Sequence, residues 1–481
     1  MRLGDLVENG GPVHVTGFAL DSRKVAEGTV FGAFPGVSKN ARVNGEDFVD
    51  AAVAAGAVAV VARPHVKVEG ALHIAAAEPR QRFAALAAAF FAPFPATTVA
   101  VTGTNGKTST VELTRQLWRL AGERAASIGT LGVTTSEDRV TAADGTGGLT
   151  TPDVVTFLAT MAGLAREGIS HAAFEASSHG LDQYRTEGLP VQAAAFTNLS
   201  RDHLDYHGTM EAYFVAKLRL FEEVLDPQGT AVVWADDAPW SQHVIAAATA
   251  RGIRVMTVGT WGEALKLVGR TATSLGQPLE IDAAGSRHKI LLPLIGAYQA
   301  ANALLAAGLV IATGGDTART LSDLARLQPV RGRLERACIT RAGAPAYVDY
   351  AHTPDALAAA CAALRPHTRG RLILVFGAGG DRDTGKRPLM GEVAARDADL
   401  VIITDDNPRS EDAAAIRTAI HAGAPGAQVI ADRRAAIAAG LVQAGGDDVV
   451  LIAGKGHEQG QIVGTQVLPF DDVQVARECA A

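Results

Sequence analysis

The chain has 481 residues, of which 48% are apolar and 20% charged, with a net charge of −7 at pH 7. That length is too great for one core and predicts about three domains, while the acidic balance implies no basic face for nucleic acid. The three cysteines, Cys338, Cys361 and Cys479, lack metal-ligand spacing and suit a reducing compartment as inert thiols.

The N-terminal Met1-Arg2-Leu3-Gly4-Asp5 has no apolar signal core. No run approaches the ~20 apolar residues of a membrane span, so a cytoplasmic location without a membrane partner is expected. Residues 1 to about 95 read as a small α/β unit. It has strands at Val30–Phe34 and Ala57–Val61, and helices over 47–55 and from Pro79 to Phe91. Pro93-Phe94-Pro95 breaks the pattern and reads as a linker.

The second unit, 96–328, opens on Val99-Ala100-Val101-Thr102-Gly103-Thr104-Asn105-Gly106-Lys107-Thr108-Ser109-Thr110. An apolar strand, a Gly turn, Lys-Thr and then Leu113, Leu117 and Leu120 at helical period make an anion cradle. Loop amides and the helix dipole face phosphate, Lys107 adds a charge, and the Thr108 hydroxyl can hold Mg²⁺. The usual P-loop spacing puts its first Gly where this chain has Val101. Further alternation follows: helix 154–166, strands 172–176 and 193–197, helix 210–224, and strands 231–234 and 253–258. It predicts a mostly parallel sheet covered by helices. Residues 265–294 turn strand-rich, as a small antiparallel insert, and a helix runs from Ala297 to about Thr313.

Pro329-Val330-Arg331-Gly332-Arg333 reads as a hinge into a third unit, 329–481. Strands 346–349, 372–376, 400–404 and 448–452 alternate with helices, including one at Pro354–Leu364. The expected fold class is therefore α/β with three domains. These are a small N-terminal α/β domain, a central P-loop ATPase-like, mostly parallel sheet with the insert, and a C-terminal doubly wound, Rossmann-like domain. Ligands of such sheets sit at the carboxyl ends of the strands.

The chemistry-bearing stretches follow strand ends. Glu175 closes an apolar strand and is a candidate second ligand for a P-loop magnesium ion; an acid there also serves simply to end a strand. Asn198-Leu199-Ser200-Arg201-Asp202-His203-Leu204-Asp205-Tyr206-His207-Gly208 is dense in metal-binding and proton-exchanging groups. His203 and His207, four apart, share one face if helical; a solvated polar loop fits the composition equally. The lack of Cys and of a His-Glu-X-X-His pattern argues against a zinc hydrolase. By spacing alone Lys217 reads as a surface helix lysine.

In the third unit, Gly377-Ala378-Gly379-Gly380-Asp381-Arg382-Asp383-Thr384-Gly385-Lys386-Arg387, Asp405-Asp406-Asn407-Pro408-Arg409 and Gly454-Lys455-Gly456-His457-Glu458 each follow a strand. Singly, each reads as a solvated charged turn. Together their mixed charges suit a zwitterion, an acid for its ammonium and an arginine fork for its carboxylate. The Gly-rich turn lacks dinucleotide spacing, which discounts NAD.

Taken in order, these motifs resemble the Mur ligase family, over nearly the whole chain. Thr102 through Thr108 is similar to that family's own P-loop. Ala19-Leu20-Asp21-Ser22-Arg23, Leu149-Thr150-Thr151-Pro152, Glu175 through Gly180, Asn198 through Gly208 and Gly454 through Glu458 are similar to stretches of its third peptide-adding member.

The resemblance implies a UDP-sugar-binding, an ATP-binding and an amino-acid-binding domain, in that order. It implies an ATP-dependent ligase of cell-wall precursor synthesis. ATP would phosphorylate the D-glutamate γ-carboxylate of UDP-N-acetylmuramoyl-dipeptide, and meso-diaminopimelate would displace the phosphate from the acyl phosphate. The implied cofactor is Mg²⁺, with a monomer that closes its domains on the substrates.

It also implies roles. Gly103, Thr104, Asn105, Gly106, Lys107, Thr108 and Ser109 would bind ATP phosphates, and Asn302, Arg333, Asp349 and His352 the rest of ATP. Thr108, Glu175, His203 and a carbamylated Lys217 would hold magnesium, with Lys107, Glu175, His203 and Lys217 catalytic. Leu20 and Ser22 would contact uridine, and Thr150, Thr151, Ser177, Gln183 and Arg185 the sugar-peptide. Arg387, Asp406, Asn407, Pro408, Arg409, Gly454 and Glu458 would select diaminopimelate. Gln299 stands where the family is expected to carry Asn. Two rivals remain: a folylpolyglutamate-synthase-like ligase, which would not need the first unit, and a non-catalytic nucleotide switch.

Overall fold

The computed structural model describes residues 1–36, 44–135, 140–141, 150–273, 276–381 and 383–480. Leu149 and Arg382, named above within motifs, lie outside the described residues. The chain forms two compact units, Met1–Leu265 with Leu305–Thr320 and Lys266–Leu304 with Leu321–Ala481. Among the described residues no helix is long and apolar enough to cross a membrane.

In the first unit, β1 (Gly17–Ala19), β2 (Thr29–Gly32), β3 (Ala57–Ala62) and β4 (Leu72–Ala75) form a parallel sheet in that order. The helix Pro79–Phe91 covers it through Phe83, whose ring meets Phe18 and Phe34 edge-on at 5.3 and 5.4 Å. Proline at the first turn suits this start, since its missing N–H would have no helical partner there.

A second sheet of this unit uses β5 (Thr97–Thr102), β6 (Ala125–Gly129), β7 (Gly132–Thr135), β8 (Val140–Thr141), β9 (His171–Glu175), β10 (Val191–Phe196), β11 (Leu225–Trp234) and β12 (Arg254–Gly259). Its order is β12-β11-β10-β5-β9-β6-β7-β8. The run from β12 to β6 is parallel; β7 and β8 turn back antiparallel. The central strands are rich in Val, Ala and Phe because both faces are buried. Register fixes the site: Val101 pairs with Glu175 and Thr102 with Phe196, so three strand ends meet beside the Gly loop.

The second unit contains β13 (Leu265–Arg270), β14 (Gln277–Ala283) and β15 (Ser286–Leu292), an antiparallel trio where the insert was expected. Its larger sheet uses β16 (Glu335–Ile339), β17 (Pro345–Asp349), β18 (Leu372–Phe376), β19 (Leu400–Ile403), β20 (Gln428–Val429) and β21 (Val449–Ala453), in the order β16-β17-β21-β18-β19-β20. Only β16, an edge strand the sequence pattern did not suggest, is antiparallel. A hairpin, β22 (Gly460–Val463) with β23 (Gln466–Pro469), was also unexpected.

The helix expected over 210–224 is α-helical only for Met210–Arg219 and continues as one π turn, Leu220–Val224. His203 and His207 do not share a helical face. His203 is the left-handed N-cap (φ +51°) of the short helix Leu204–His207, because the chain reverses there.

Candidate active site

The loop after β5 is shaped by its carbonyls. Gly103 O accepts from Lys107 Nζ (2.9 Å) and Lys217 Nζ (2.8 Å), and Thr104 O from Lys107 Nζ (2.8 Å). Asn105 O accepts from Thr197 Oγ1 (2.7 Å) and Asn198 Nδ2 (3.1 Å), while Asn105 N donates back to Asn198 Oδ1 (3.0 Å). Thr104 N likewise donates to Asn198 O (2.8 Å), so Asn198 braces the loop through the amides of Thr104 and Asn105 as well as the Asn105 carbonyl. Gly103, at φ +143°, is required: a Cβ there would stand 1.9 Å from Thr197 Oγ1.

Lys217 is not on the surface; it is 1% exposed. Burial, then the charge of Lys107, pushes its amine well below the ordinary lysine value. Tyr213, one turn earlier, lies under it, with Nζ 4.4 Å from the ring centre, and the phenol oxygen is 3.2 Å from Thr104 Oγ1. The rings of His203 and His207 lie 6.1 and 5.2 Å from Tyr213, and His179 is 4.9 Å from His203.

Glu175 is 2% exposed, and its Oε1 accepts from Thr130 N at 2.7 Å. Thr151 Oγ1 donates to Glu175 O (2.9 Å) and accepts from Ser177 N (3.1 Å). Arg185 binds Thr151 O (2.8 Å) and Gln183 Oε1 (2.6 Å), and Thr150 Oγ1 is 3.4 Å from Thr130 Oγ1. The five residues expected at the sugar-peptide end thus belong to one network around Glu175. Ser22 opens a short 3₁₀ turn capped by Asp21, and Leu20, half-buried, precedes it. Hydrogen bonds from Arg23 hold the Asp21 carboxyl down to about 2.

Among the described residues no three His, Cys, Asp or Glu side chains gather as a ready metal site. The hard oxygens of Thr108, in the first turn of the helix Lys107–Ala121, and of Glu175, at the end of β9, nevertheless suit magnesium, which favours few protein oxygens; the His203 imidazole suits it less.

In the second unit, Asn302 Nδ2 donates to Gln299 Oε1 (3.1 Å), and Gln299 Nε2 to Arg333 O (3.0 Å). Gln299 therefore links Asn302 to the hinge. Asp349 accepts from Leu334 N and Ala351 N (2.8 and 2.9 Å), and burial raises its carboxyl. The Arg333 guanidinium lies 4.9 Å from the Tyr350 ring, which also meets His352 (4.6 Å) and His457 (5.0 Å).

Asp406 through Arg409 follows β19. Arg409, itself left-handed at φ +51°, donates from Nη1 to Gly380 O at 2.7 Å. Arg387 is 4% exposed and pairs with Glu411 (2.8 Å), while its Nε, buried, has no hydrogen-bond partner among the described residues. Gly454 is at φ +115°, and a Cβ would stand 2.4 Å from Asp406 Oδ2. Asn407 Nδ2 donates to Glu458 Oε2 at 2.7 Å.

Residues 101–310 match the Mur ligase middle domain, and residues 332–456 the Mur ligase, glutamate ligase domain. The chain is 61% identical over 468 residues to UDP-N-acetylmuramoyl-L-alanyl-D-glutamate–2,6-diaminopimelate ligase of Zymomonas mobilis, covering 96% of this chain and 94% of the relative. The chain belongs to the Mur ligase family.

The identically named protein of Bradyrhizobium diazoefficiens is 52% identical, with 98% of this chain and 97% of the relative covered. A solved structure bearing the same enzyme name matches with a TM-score of 0.75 and 33% identity, over 100% of this chain and 98% of that one. The folylpolyglutamate synthase of Mycobacterium tuberculosis shares the fold alone, at TM-score 0.60 and 21% identity, over 76% of this chain and 89% of that one.

Within this Mur ligase, sequence reasoning missed Asn198 and Tyr213 as loop holders and Lys455 as a buried side chain. Tyr213 had a legible signal, since it sits four residues before Lys217 on one helix. Asn198 had none; its role depends on β10 lying beside β5.

Proposed function

We propose that the chain is an ATP-dependent amide ligase. It joins meso-diaminopimelate to the D-glutamate γ-carboxylate of UDP-N-acetylmuramoyl-L-alanyl-D-glutamate, giving ADP and phosphate, in peptidoglycan synthesis. The near-full-length relatives carry that name. The observation that carries the reading is the Gly103–Lys107 cradle in a chain that also holds Arg409 against Gly380 O and the Glu458 carboxylate against Asn407.

Lys107, now resting on loop carbonyls, would turn to the transferring phosphoryl group with the loop amides and offset its charge. The γ-carboxylate takes the phosphoryl group and ADP leaves. The amine of diaminopimelate then adds to the acyl carbon, loses its proton, and phosphate departs. Thr108 and Glu175, with His203 and a carbamylated Lys217, would hold Mg²⁺, which supplies charge neutralisation at the phosphates. Carbamylation by CO₂ needs an unprotonated amine, and the lowering of the Lys217 amine by burial and by Lys107 favours that form, which supports Lys217 as its site.

Asn302, Arg333, Asp349 and His352 would receive the remainder of ATP. Leu20 and Ser22 would receive uridine, and the Thr150–Arg185 network the sugar-peptide. Arg387, Asp406, Pro408, Arg409, Gly454 and Glu458 would surround the amino acid. In this reading residues 1–95, 96–328 and 329–481 carry the three substrates, and the enzyme is a cytoplasmic monomer. The test is phosphate release with each amino acid in turn. Release with lysine as fast as with meso-diaminopimelate refutes the selectivity.

A further inference from the structure

Lys455 is 0% exposed, between the end of β21 and the β22–β23 hairpin. An ammonium has three N–H donors, and two segments supply three acceptors: Asn407 Oδ1 at 3.0 Å, Glu458 Oε2 at 3.3 Å and Gly460 O at 2.5 Å. The donor set is fully spent inside the protein. The Asn407 oxygen is spent too. Oδ1 accepts a second bond, from Ile462 N (2.9 Å), and Nδ2 donates to Glu458 Oε2 (2.7 Å). The amide can face only one way, with its oxygen to two donors and its nitrogen to the carboxylate.

The Glu458 carboxylate is therefore gripped through Oε2 alone, by two donors, and Oε1 accepts no protein hydrogen bond among the described residues. The same hairpin holds Arg409, whose N donates to Ile462 O (3.0 Å) and whose O accepts from Gly464 N (2.8 Å). An acid and an arginine, the two groups a zwitterion needs, are thus fixed to one frame.

We infer that Lys455 is a positioning residue for amino-acid choice. Together with Asn407 it holds Glu458 by one oxygen, so that the other serves the ammonium of the amino acid whose carboxylate Arg409 takes. The inference rests on the diaminopimelate reading above.

The experiment measures KM for meso-diaminopimelate, ATP and the UDP-sugar dipeptide, with the melting temperature, in Lys455→Met, Asn407→Ala, Glu458→Gln and the Lys455→Met/Glu458→Gln pair. Lys455→Met and Asn407→Ala should each raise KM for diaminopimelate about tenfold or more, with the other two KM values within about twofold. The double variant should lose no more than Glu458→Gln alone. If Lys455→Met does not fold, Asn407→Ala carries the same expectation, since it removes the same grip from Glu458. Three KM values rising together, or fully additive losses in the pair, overturn the role of Lys455. A wild-type enzyme without diaminopimelate-dependent phosphate release overturns the underlying reading instead.

Discussion

The amine of Lys217 donates to the carbonyl of Gly103 across 2.8 Å, joining residues 114 positions apart. The same carbonyl accepts Lys107 at 2.9 Å. Two lysine amines on one oxygen cannot both stay charged cheaply, and burial with the charge of Lys107 weakens the hold of the buried one on its proton. The loop proposed to bind phosphate and the lysine proposed for carbamylation are thus mechanically one object.

Stability should record that weakened hold. Between the lowered native value and the ordinary value of 10.5, the unfolded chain binds a proton the native chain lacks, so stability from this group rises with pH. In CO₂-free buffer, wild type should gain stability relative to Lys217→Met between pH 7 and pH 9.5, as read by urea unfolding. A pH-independent difference would contradict it.

With bicarbonate present, the intact mass of native wild type should include one added CO₂, absent from Lys217→Ala. That variant should lose at least about a hundredfold in kcat, roughly the value of one positioned charge at a phosphoryl-transfer centre. Full activity without the added mass would remove Lys217 from the mechanism.

Gly103→Ala places a methyl group 1.9 Å from Thr197 Oγ1 at φ +143°. Overpacking and strain together should cost about 2–4 kcal/mol at the loop. The expected readout is lost ATP binding in calorimetry with uridine-nucleotide binding retained.

Arg409→Leu removes the guanidinium fork proposed for the distal carboxylate. Discrimination between meso-diaminopimelate and lysine should fall by ~2–4 kcal/mol in kcat/KM ratio. An unchanged ratio would show that Arg409 does not select.

His457 supplies an acid-side test. Burial, then the charges of Arg333 and Arg331, lowers its imidazole from 6.5 to about 4. Between those values the unfolded chain is protonated and the native chain is not, so stability falls as pH drops. From pH 7 to pH 5, wild type should lose about 1–2 kcal/mol more than His457→Gln in denaturant unfolding.

Strand, loop and helix at Val99–Thr110 were readable because an apolar run, two glycines and a helical period occur within a dozen residues. The burial of Lys217 was missed, because spacing alone suggests a surface residue, although a signal was there. Lys217 interrupts a stripe of Tyr213, Phe214, Leu220 and Phe221, all buried, and a lysine in such a stripe is buried with them. The β22–β23 hairpin was not readable, since Gln461, Gln466 and the exposed Val467 show no buried face. Without the hairpin, Gly-Lys-Gly at 454–456 looks like an exposed turn. Only the backbone of a segment with little sequence signal turns Lys455 inward and spends the Asn407 oxygen on the frame.

Arg409 has its N–H and its C=O both bonded to the hairpin that follows Glu458. The arginine's identity and its address are thus encoded some fifty residues apart, in 406–409 and 454–464. Selectivity for the amino acid should accordingly be transplantable only as a cassette of both segments. Moving 406–409 alone into a relative of different selectivity should yield an arginine with nowhere to stand.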